Sequence, residues 1–320
     1  MPGEHFLPRP RRGARQRGVA IITALVVVAA ATVAVSAMLW RQAIAVRKVE
    51  NQAALGEARW LARSAIEWAR LVLLQDARTS TVDHLGEIWA LPLAETRVTE
   101  DLGSAQAPAS LPADASPTPF AENDAAWVSG RMRDAQARLN LAGLANAQGP
   151  DKQRLETLER LLDVLGLKKD LATDIAERFA DGDGPATFDA LAAAMAAGGT
   201  MDATAADRLR PFVVILPTPT PVNLNTAPPE ILAACFPDLP LDGARALARS
   251  REQAWFKQVG DAAGRLPGTS AASTPANVSV SSNWFEVDGQ VRVGRAELEV
   301  AALIEREQSG TTRVRSLVER

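Results

Sequence analysis

An uncharged stretch of 22 residues near the N-terminus, residues 19–40, restricts this chain more than any other feature of its sequence. A helix needs about 20 apolar residues to cross the hydrocarbon core of a bilayer, so this stretch is long enough to span a membrane. Upstream of it, five arginines are accompanied by a single acidic residue, Glu4. Because positively charged flanks stay in the cytoplasm, we expect one span, with the N-terminus inside and the rest of the chain outside the cytoplasm.

Three fates are open for such a segment. A secretory signal ends at a small-x-small cleavage site, and residues 29–31 or 35–37 would fit, although the apolar run continues beyond both places. A plain membrane anchor needs no cleavage at all. The third fate depends on "RQRGVAII", residues 15–22, where one glycine separates the basic residues from the apolar run.

This junction resembles the site that prepilin peptidases cut in type IV pilins and in the pseudopilins of type II secretion. The resemblance implies cleavage after Gly18, a leader of residues 1–18, and a mature chain that begins at an N-methylated Val19. Most pilin-like proteins have glutamate at the fifth mature position, whereas this chain has Thr23. A carboxylate in the membrane usually needs a partner, so its absence indicates a subunit that need not dock beneath another. Lack of this glutamate is typical of the K-type pseudopilin.

Length and charge limit the other possibilities. A chain of 320 residues with 47% hydrophobic content can form about two domains. Removal of the leader would change the formal charge from −3 to −7, which argues against nucleic acid as a partner. Cys235 is the only cysteine, so no disulfide can form within the chain.

Helical periodicity continues beyond the apolar run. Apolar residues recur every three or four positions at Leu61, Ala65, Trp68 and Val72. We therefore predict one helix from the membrane to about Asp76, with this face packed on a small sheet. Trp60 and Trp68 are interpreted as core residues, with a binding role as the alternative.

The composition and periodicity of the sequence change twice in the middle of the chain. Residues 101–126 are rich in alanine, proline and serine, which indicates a loop or disordered insertion. Alternation in residues 127–140 predicts a strand that ends at Asn140. The following residues read as several short helices, with Asp151 and Thr226 as expected N-caps.

Alternating apolar and polar residues return near the C-terminus, where we predict antiparallel strands with a hairpin turn at Asp288-Gly289. The predicted fold is α+β, with a long N-terminal transmembrane and amphipathic helix on a small antiparallel sheet and an inserted all-helical domain. The expected segments are the leader (1–18), the transmembrane part (19–40), a pilin-like core (41–140 and 267–320) and the inserted domain (141–266).

Four phrases occur in order behind the leader: "RMRDAQARLNLAGL", "RLLDVLGL", "PVNLNTAPPEIL" and "SSNWFEV". Together they resemble the general secretion pathway protein K family, the large minor pseudopilins of type II secretion, from about Gln16 to Arg306. The resemblance implies a subunit at the tip of the pseudopilus that helps to start assembly and caps the filament for protein export. The implied location is the Gram-negative inner membrane, in a single pass with a periplasmic C-terminal domain, and the pseudopilus tip after assembly.

The same resemblance implies the partners. They are the I- and J-type minor pseudopilins, the major pseudopilin, the inner-membrane assembly platform and the prepilin peptidase, with no nucleic acid among them. No cofactor is expected other than calcium, with which family members have been associated.

Asp181 and Asp183 are the candidate calcium ligands. Their segment fails as an EF-hand loop, because Pro185 and Ala186 replace a ligand and the turn glycine, and Ala192 replaces the closing glutamate. A solvated turn is the alternative interpretation of this segment.

Enzymatic activity is not expected. His84 is the only histidine of the predicted mature chain, and Cys235 lies in an apolar stretch where a buried, unreactive thiol is expected. The sequence contains no nucleophile elbow, P-loop or dinucleotide-binding glycine pattern.

Two other functions remain open. A minor pilin of a type IV pilus would share the leader and the helix but not "NLNTAPPEIL". An anchored helix-hairpin-helix protein that binds DNA is suggested by residues 223–265. In that segment five cationic residues balance five acidic ones, and "PLDG" replaces the usual glycine-x-glycine turn, which disfavours phosphate binding.

Overall fold

The computed structural model describes residues 16–98, 125–146, 149–180, 184–266, 275, 277–307 and 311–320, with the side chains of 16–19 and 146 left out. Two compact units make up the chain, Met1–Gly56 and Glu57–Arg320. Helix α1 (Gln16–Thr79) begins in the first unit and ends in the second. The predicted long helix is therefore confirmed, and it ends three residues beyond Asp76.

The first unit contains the apolar part of α1. Within the described residues one helix is long and apolar enough to cross a membrane, and none of its most apolar stretch is buried. Since large aliphatic side chains such as Ile21, Leu25 and Val33 are more than 60% exposed, this surface requires lipid or protein around it.

The second unit contains the remaining helices and all the strands of the described residues. The helices after α1 are α2 (Lys152–Val164), α3 (Leu171–Glu177), α4 (Phe188–Ala197), α5 (Ala203–Leu209), α6 (Pro229–Cys235), α7 (Leu241–Gln253) and α8 (Val259–Gly264). The strands are β1 (Leu93–Val98), β2 (Ala126–Asp134), β3 (Leu139–Asn140), β4 (Ala145–Asn146), β5 (Gly149–Pro150), β6 (Val213–Val214), β7 (Val222–Asn223), β8 (Val278–Ser279), β9 (Trp284–Val293), β10 (Ala296–Arg306) and β11 (Thr312–Glu319).

Five antiparallel strands form the main sheet, in the order β1-β2-β9-β10-β11. Helices α2 to α8, here called the helical part, lie between β2 and β9 in sequence, although these two strands are neighbours in the sheet. The predicted α+β fold, with further helices threaded into a small antiparallel sheet, is thereby confirmed.

Alternation along the strands gives the sheet one apolar face and one polar face. The apolar face packs against α1 through Met132, Phe285, Val287, Ala302 and Ile304. On α1 the contacting residues are Ile66, Ala69 and Leu73, all at most 3% exposed. Burying a large aliphatic side chain contributes about 1.5–3 kcal/mol, so this layer holds α1 on the sheet.

The prediction of which face of α1 is buried was wrong. Leu61 is buried as expected, but Trp60 is 67% exposed and Trp68 is 51% exposed. The buried line runs instead through Ile66 and Leu73, about one residue away around the helix. Apolar residues occur on two faces of this helix, and periodicity alone does not tell which one meets the sheet.

The predicted hairpin at Asp288-Gly289 was also wrong. Both residues lie inside β9, and the turn between β9 and β10 is at Gly294, which has a φ of 56°. Gly289 pairs with Gly130 of β2, where an added Cβ would lie 2.8 Å from the Asp288 carbonyl oxygen. These glycines therefore permit close strand packing rather than a turn.

Two further expectations concern element ends. The strand expected to reach Asn140 ends at Asp134, whose side chain accepts a hydrogen bond from the Gln136 amide and starts a 3-10 turn. Asp151 caps α2 as predicted, accepting from the amides of Gln153 and Arg154. Thr226 does not cap α6, because that helix begins at Pro229 and the Thr226 hydroxyl donates elsewhere.

Candidate functional site

A buried network of polar side chains joins α1, the sheet and the helical part. We call it the polar junction, and it consists of Asp76, Asp83, Asp134, Asn223, Thr226, Ser282 and Arg306. Buried polar groups are costly unless they are hydrogen-bonded, so such a network is stable only when its members satisfy one another.

Arg306, at the end of β10, is one centre of the polar junction. Its Nη1 donates to Asp76 Oδ2 of α1 at 2.9 Å. Its Nη2 donates to both carboxylate oxygens of Asp83 and to the Ser282 carbonyl oxygen, each at 2.6 Å. The Arg306 side chain is 9% exposed and that of Asp83 is 2% exposed, so this is a buried ion pair. One guanidinium thus fixes the end of α1, the following loop and the start of the terminal strands.

Asp134, at the end of β2, is the second centre. Its Oδ2 accepts hydrogen bonds from Thr226 Oγ1 at 2.5 Å, Ser282 Oγ at 2.6 Å and Asn223 Nδ2 at 3.0 Å. Its Oδ1 accepts from the Gln136 amide at 2.7 Å. Burial raises the pKa of Asp134 to about 6, while the hydrogen bonds from Ser282, Thr226 and Gln136 act in the opposite direction. One carboxylate therefore holds the sheet to the segment that enters α6.

Side-chain amides extend this connection into the helical part. Asn225 Nδ2 donates to the Phe256 carbonyl oxygen at 3.0 Å, and its Oδ1 accepts from the Phe256 amide at 2.8 Å. Asn140 Oδ1 accepts from the Leu216 amide at 3.1 Å. An asparagine offers a donor and an acceptor, so it can replace a backbone partner where the chain is irregular. The asparagines of "NLNTAPPEIL" serve this purpose.

From the buried carboxyl groups of the polar junction we predict that the free energy of unfolding depends on pH between about 5 and 7. Burial raises the pKa of Asp134 to about 6, and burial with the nearby Glu87 and Asp83 raises that of Asp76 to about 6. A carboxyl group with a raised pKa holds its proton more tightly in the folded state than in the unfolded state. Its contribution to the free energy of unfolding is therefore fully present below about pH 4 and is lost as the pH rises through 6. We expect Asp134 to contribute a loss of about 1 kcal/mol between pH 5 and pH 7.

Urea unfolding of the full chain at pH 5 and pH 7 measures this effect. Asp134→Asn should flatten the dependence, while Asp288→Asn, which changes a partly exposed carboxylate on the polar face of the sheet, should leave it unchanged. An equal slope in the wild type and in Asp134→Asn would exclude Asp134 as the titrating group.

The residues expected to be processed lie at the start of α1. Gly18 and Val19 are in its first turns, and nothing is described of their side chains. Thr23 Oγ1 donates to the Ala20 carbonyl oxygen at 3.0 Å, within its own helix. Thr23 therefore satisfies its hydroxyl without a partner from another chain.

The two candidate calcium ligands, Asp181 and Asp183, lie outside the described residues, and their calcium binding stays a prediction. Within the described part of the chain one other group of three carboxylates comes together, namely Asp76, Asp83 and Glu87. Protein donors engage all three, because Glu87 Oε2 accepts from Trp89 Nε1 at 2.8 Å and Arg306 binds the other two. Asp76 and Asp83 of this group belong to the polar junction, and Glu87 lies next to them.

His84 and Cys235 occupy positions typical of structural residues. The His84 ring stacks on Trp255 with 4.0 Å between centroids, and its Nδ1 accepts from the Gly86 amide at 3.1 Å. Cys235 is buried as predicted, and burial raises the pKa of its thiol to about 12. A thiol with so high a pKa is a poor nucleophile at neutral pH.

An exposed apolar face of α1 was missed by the sequence analysis. It consists of Trp60, Trp68 and Leu71, which are 51–67% exposed. Their separations of eight and three residues place them on one side of a helix. This second apolar stripe in the sequence of α1 could have predicted the exposed face. Exposed aromatic residues grouped on one surface are typical of protein interfaces.

Comparison with known proteins gives consistent similarities. The family model described as "Type II secretion system (T2SS), protein K" matches residues 222–281, the segment that contains Asn223 and Thr226. The type II secretion system protein K of Pseudomonas aeruginosa is 29% identical over 95% of this chain and 92% of its own length. The solved GspK-GspI-GspJ complex of enterotoxigenic Escherichia coli contains a chain that is 21% identical, with a TM-score of 0.64 over 85% of this chain and 99% of that one.

Proposed function

We propose that this chain, which is similar to type II secretion system protein K over nearly its whole length, is a minor pseudopilin that helps to start the pseudopilus and caps its tip. The observation that carries the proposal is similarity over nearly the whole chain, including α1, the sheet and the helical part. The alternatives of a type IV minor pilin and an anchored DNA-binding protein are not favoured. A structural role follows from the family, and no catalytic step is assigned.

The N-terminal segment anchors the subunit before assembly. Residues 19–40 span the Gram-negative inner membrane once, with the basic leader in the cytoplasm and the remaining chain in the periplasm. Prepilin peptidase cuts after Gly18 and Val19 is methylated. With Thr23 at the fifth mature position, no buried carboxylate requires a subunit above it, which suits a place at the tip.

The proposed partners follow from the solved relative, which was crystallised as a complex of GspK, GspI and GspJ. We infer that this chain meets the I- and J-type minor pseudopilins, and then the major pseudopilin and the inner-membrane assembly platform. The exposed face of Trp60, Trp68 and Leu71 supports packing of partner helices on α1. Large aromatic residues of this kind commonly carry most of the energy of an interface.

The helical part supplies the cap. The pilin-like core consists of 41–140 and 267–320 and the inserted domain of 141–266. The polar junction connects the two with charge-assisted hydrogen bonds at Asp134 and Arg306. A bulky domain held in this way prevents another subunit from adding above it.

Co-purification tests the role in the assembly. The full chain is expressed in a bacterium with its I- and J-type pseudopilins and extracted in detergent. We expect Trp60→Ala/Trp68→Ala to reduce recovery of the partners at least tenfold, because each exposed aromatic side chain contributes about 2 kcal/mol or more as an interface anchor.

Trp255→Ala is the matched control, since Trp255 is 45% exposed and lies in the helical part. It should leave partner recovery within twofold of the wild type. Equal recovery with both variants would show that the partners bind at a surface other than the face of Trp60, Trp68 and Leu71. No recovery even with the wild-type chain would contradict the proposed function itself.

A further inference from the structure

Three basic residues follow the apolar stretch of α1 directly. Trp40 is the last residue of the uncharged stretch 19–40, and it is 71% exposed. Arg41, Arg47 and Lys48, here called the basic collar, come next, and all three are exposed. Glu50 is the first acidic residue after them. The anchoring and assembly steps proposed above make no use of the basic collar.

The length of the apolar stretch places the basic collar beside the lipid headgroups in the proposed topology. Residues 19–40 extend over about 33 Å as a helix, and the hydrocarbon core of a bilayer is about 30 Å thick. Trp40 therefore lies at the outer interface, where tryptophan is commonly found. Lys48 lies only about 12 Å further along the axis. Since helical side chains tilt toward the N-terminus of their helix, Arg41 and Lys48 lean back toward the bilayer.

Carboxylates of this chain do not neutralise the basic collar. Arg41 and Lys48 are seven residues apart, so they lie within about 20° of each other around the helix. Glu50, nine residues after Arg41, is on the opposite side, and only Arg47 is near enough along the helix to share it. In the part of the chain that the structure describes, the ion pairs of α1 begin at Arg59, which binds Glu319 at 3.1 Å. At least two cations of the basic collar are therefore left without a carboxylate.

The surroundings of the basic collar decide which anion it meets. Before assembly, a helix that crosses the bilayer alone is surrounded by lipid, and the first anions beyond Trp40 are lipid phosphates. Arginine binds phosphate with paired N–H groups and lysine binds it as a point charge. In a zwitterionic headgroup an ammonium group cancels the phosphate charge, so anionic phospholipids are attracted more strongly. This attraction acts over about 8 Å at physiological salt, which is the scale of the basic collar.

We propose that Arg41, Arg47 and Lys48 bind the phosphate groups of anionic phospholipids in the outer leaflet of the inner membrane. These lipids gather around Trp40 and hold the subunit at a fixed depth until it enters the filament. The inference rests on the proposed function, because it requires residues 19–40 to span the membrane, and it adds a lipid class to the partners of the subunit.

Quenching of Trp40 by brominated lipids tests the proposal. The full chain is reconstituted in vesicles of phosphatidylcholine with a minor fraction of phosphatidylglycerol. Bromine is placed on the acyl chains of the phosphatidylglycerol, or on those of an equal amount of the phosphatidylcholine. Bromine quenches tryptophan only on close approach, and the next tryptophan, Trp60, lies about 30 Å further along the helix. Trp40→Phe should therefore remove the bromine-dependent signal.

We expect brominated phosphatidylglycerol to quench Trp40 about two- to fivefold more than the same amount of brominated phosphatidylcholine. Added salt should reduce this excess, because it screens exposed charges. Inorganic phosphate should reduce the excess no more than chloride at the same ionic strength, since the site takes lipid and not the free anion. Arg41→Gln/Lys48→Gln should remove most of the excess and leave the quenching by phosphatidylcholine unchanged.

Arg59→Gln/Arg63→Gln is the matched control. It also removes two exposed cations of α1, whose side chains are 53% and 70% exposed. These residues lie about 30 Å beyond Trp40, outside the range of the headgroups. The control should keep the full excess, and its loss there would make the effect one of net charge and overturn the proposal.

Three other results would overturn the proposal. Equal quenching by the two brominated lipids, or an unchanged excess in Arg41→Gln/Lys48→Gln, would exclude binding of anionic lipid by the basic collar. If the I- and J-type partners still co-purify in that case, the proposed function remains intact. Absence of quenching by either lipid would show that Trp40 does not lie at the bilayer, which would contradict the proposed membrane span as well.

Discussion

Replacing Arg306 by methionine is expected to lower the free energy of unfolding by about 3–5 kcal/mol, because it leaves the carboxylate of Asp83 buried without a cation. Asp83 is 1% exposed, and the guanidinium of Arg306 binds both of its oxygens at 2.6 Å. Methionine keeps most of the aliphatic volume of arginine, so the loss reports charge and hydrogen bonding rather than a cavity. Urea unfolding of the wild type and the variant at pH 7 measures the difference.

Arg315→Met is the matched control for this measurement. Arg315 also lies in the sheet and pairs with Glu305, but its side chain is 42% exposed. Surface ion pairs contribute about 0–1 kcal/mol, so this variant should unfold close to the wild type. A loss below 1 kcal/mol for Arg306→Met would show that water or a rearranged side chain replaces Arg306, and that the polar junction is not a fixed link.

Replacing Gly18 by leucine is expected to abolish removal of the leader. The uncut chain keeps five arginines before the apolar helix, on the side that the proposed topology places in the cytoplasm. Each arginine costs about 2.5–3.5 kcal/mol at the centre of a bilayer, so the uncut subunit cannot be drawn out of the membrane into a filament. We expect loss of secretion together with an intact N-terminus, as measured by mass spectrometry of the membrane-extracted chain.

Gly56→Ala is the control, since it also replaces a glycine of α1, and a Cβ at Gly56 meets no atom within 4 Å. That variant should be cut and methylated at Val19 like the wild type. A wild-type chain that begins after Ala31 or Ala37 would instead be a periplasmic protein without an anchor. One that begins at Met1 or Pro2 would be a simple anchored protein, and both results would contradict the pseudopilin assignment.

Several features of the fold were predictable because they depend on neighbouring residues. The apolar run, the helical period of α1 and the alternation in β9 and β10 are local patterns, and each agrees with the structure. The Asp151 cap was predictable for the same reason, since a side chain two or three residues from the amides that it binds needs no tertiary contact.

Other expectations failed where a tertiary contact competed with a local signal. Asp288-Gly289 has the composition of a hairpin turn, but β9 continues through it because both neighbouring strands pair with it. Thr226 has the composition of an N-cap, but Asp134 takes its hydroxyl 92 residues away in sequence. In both places a tertiary contact overrides a local preference of about 1 kcal/mol or less.

The sequence by itself determined the long apolar helix, the alternating strands and the similarity to type II secretion system protein K, because periodicity and short motifs need no knowledge of distant residues. Only the tertiary structure decided which face of α1 meets the sheet and how the polar junction forms. Arg306 and Asp83 are 223 residues apart, and Asn223 and Asp134 are 89 apart. Such pairs become neighbours only when β2 and β9 pair in the sheet and the helical part packs beside them, since burial then makes each charged or polar group require its partner.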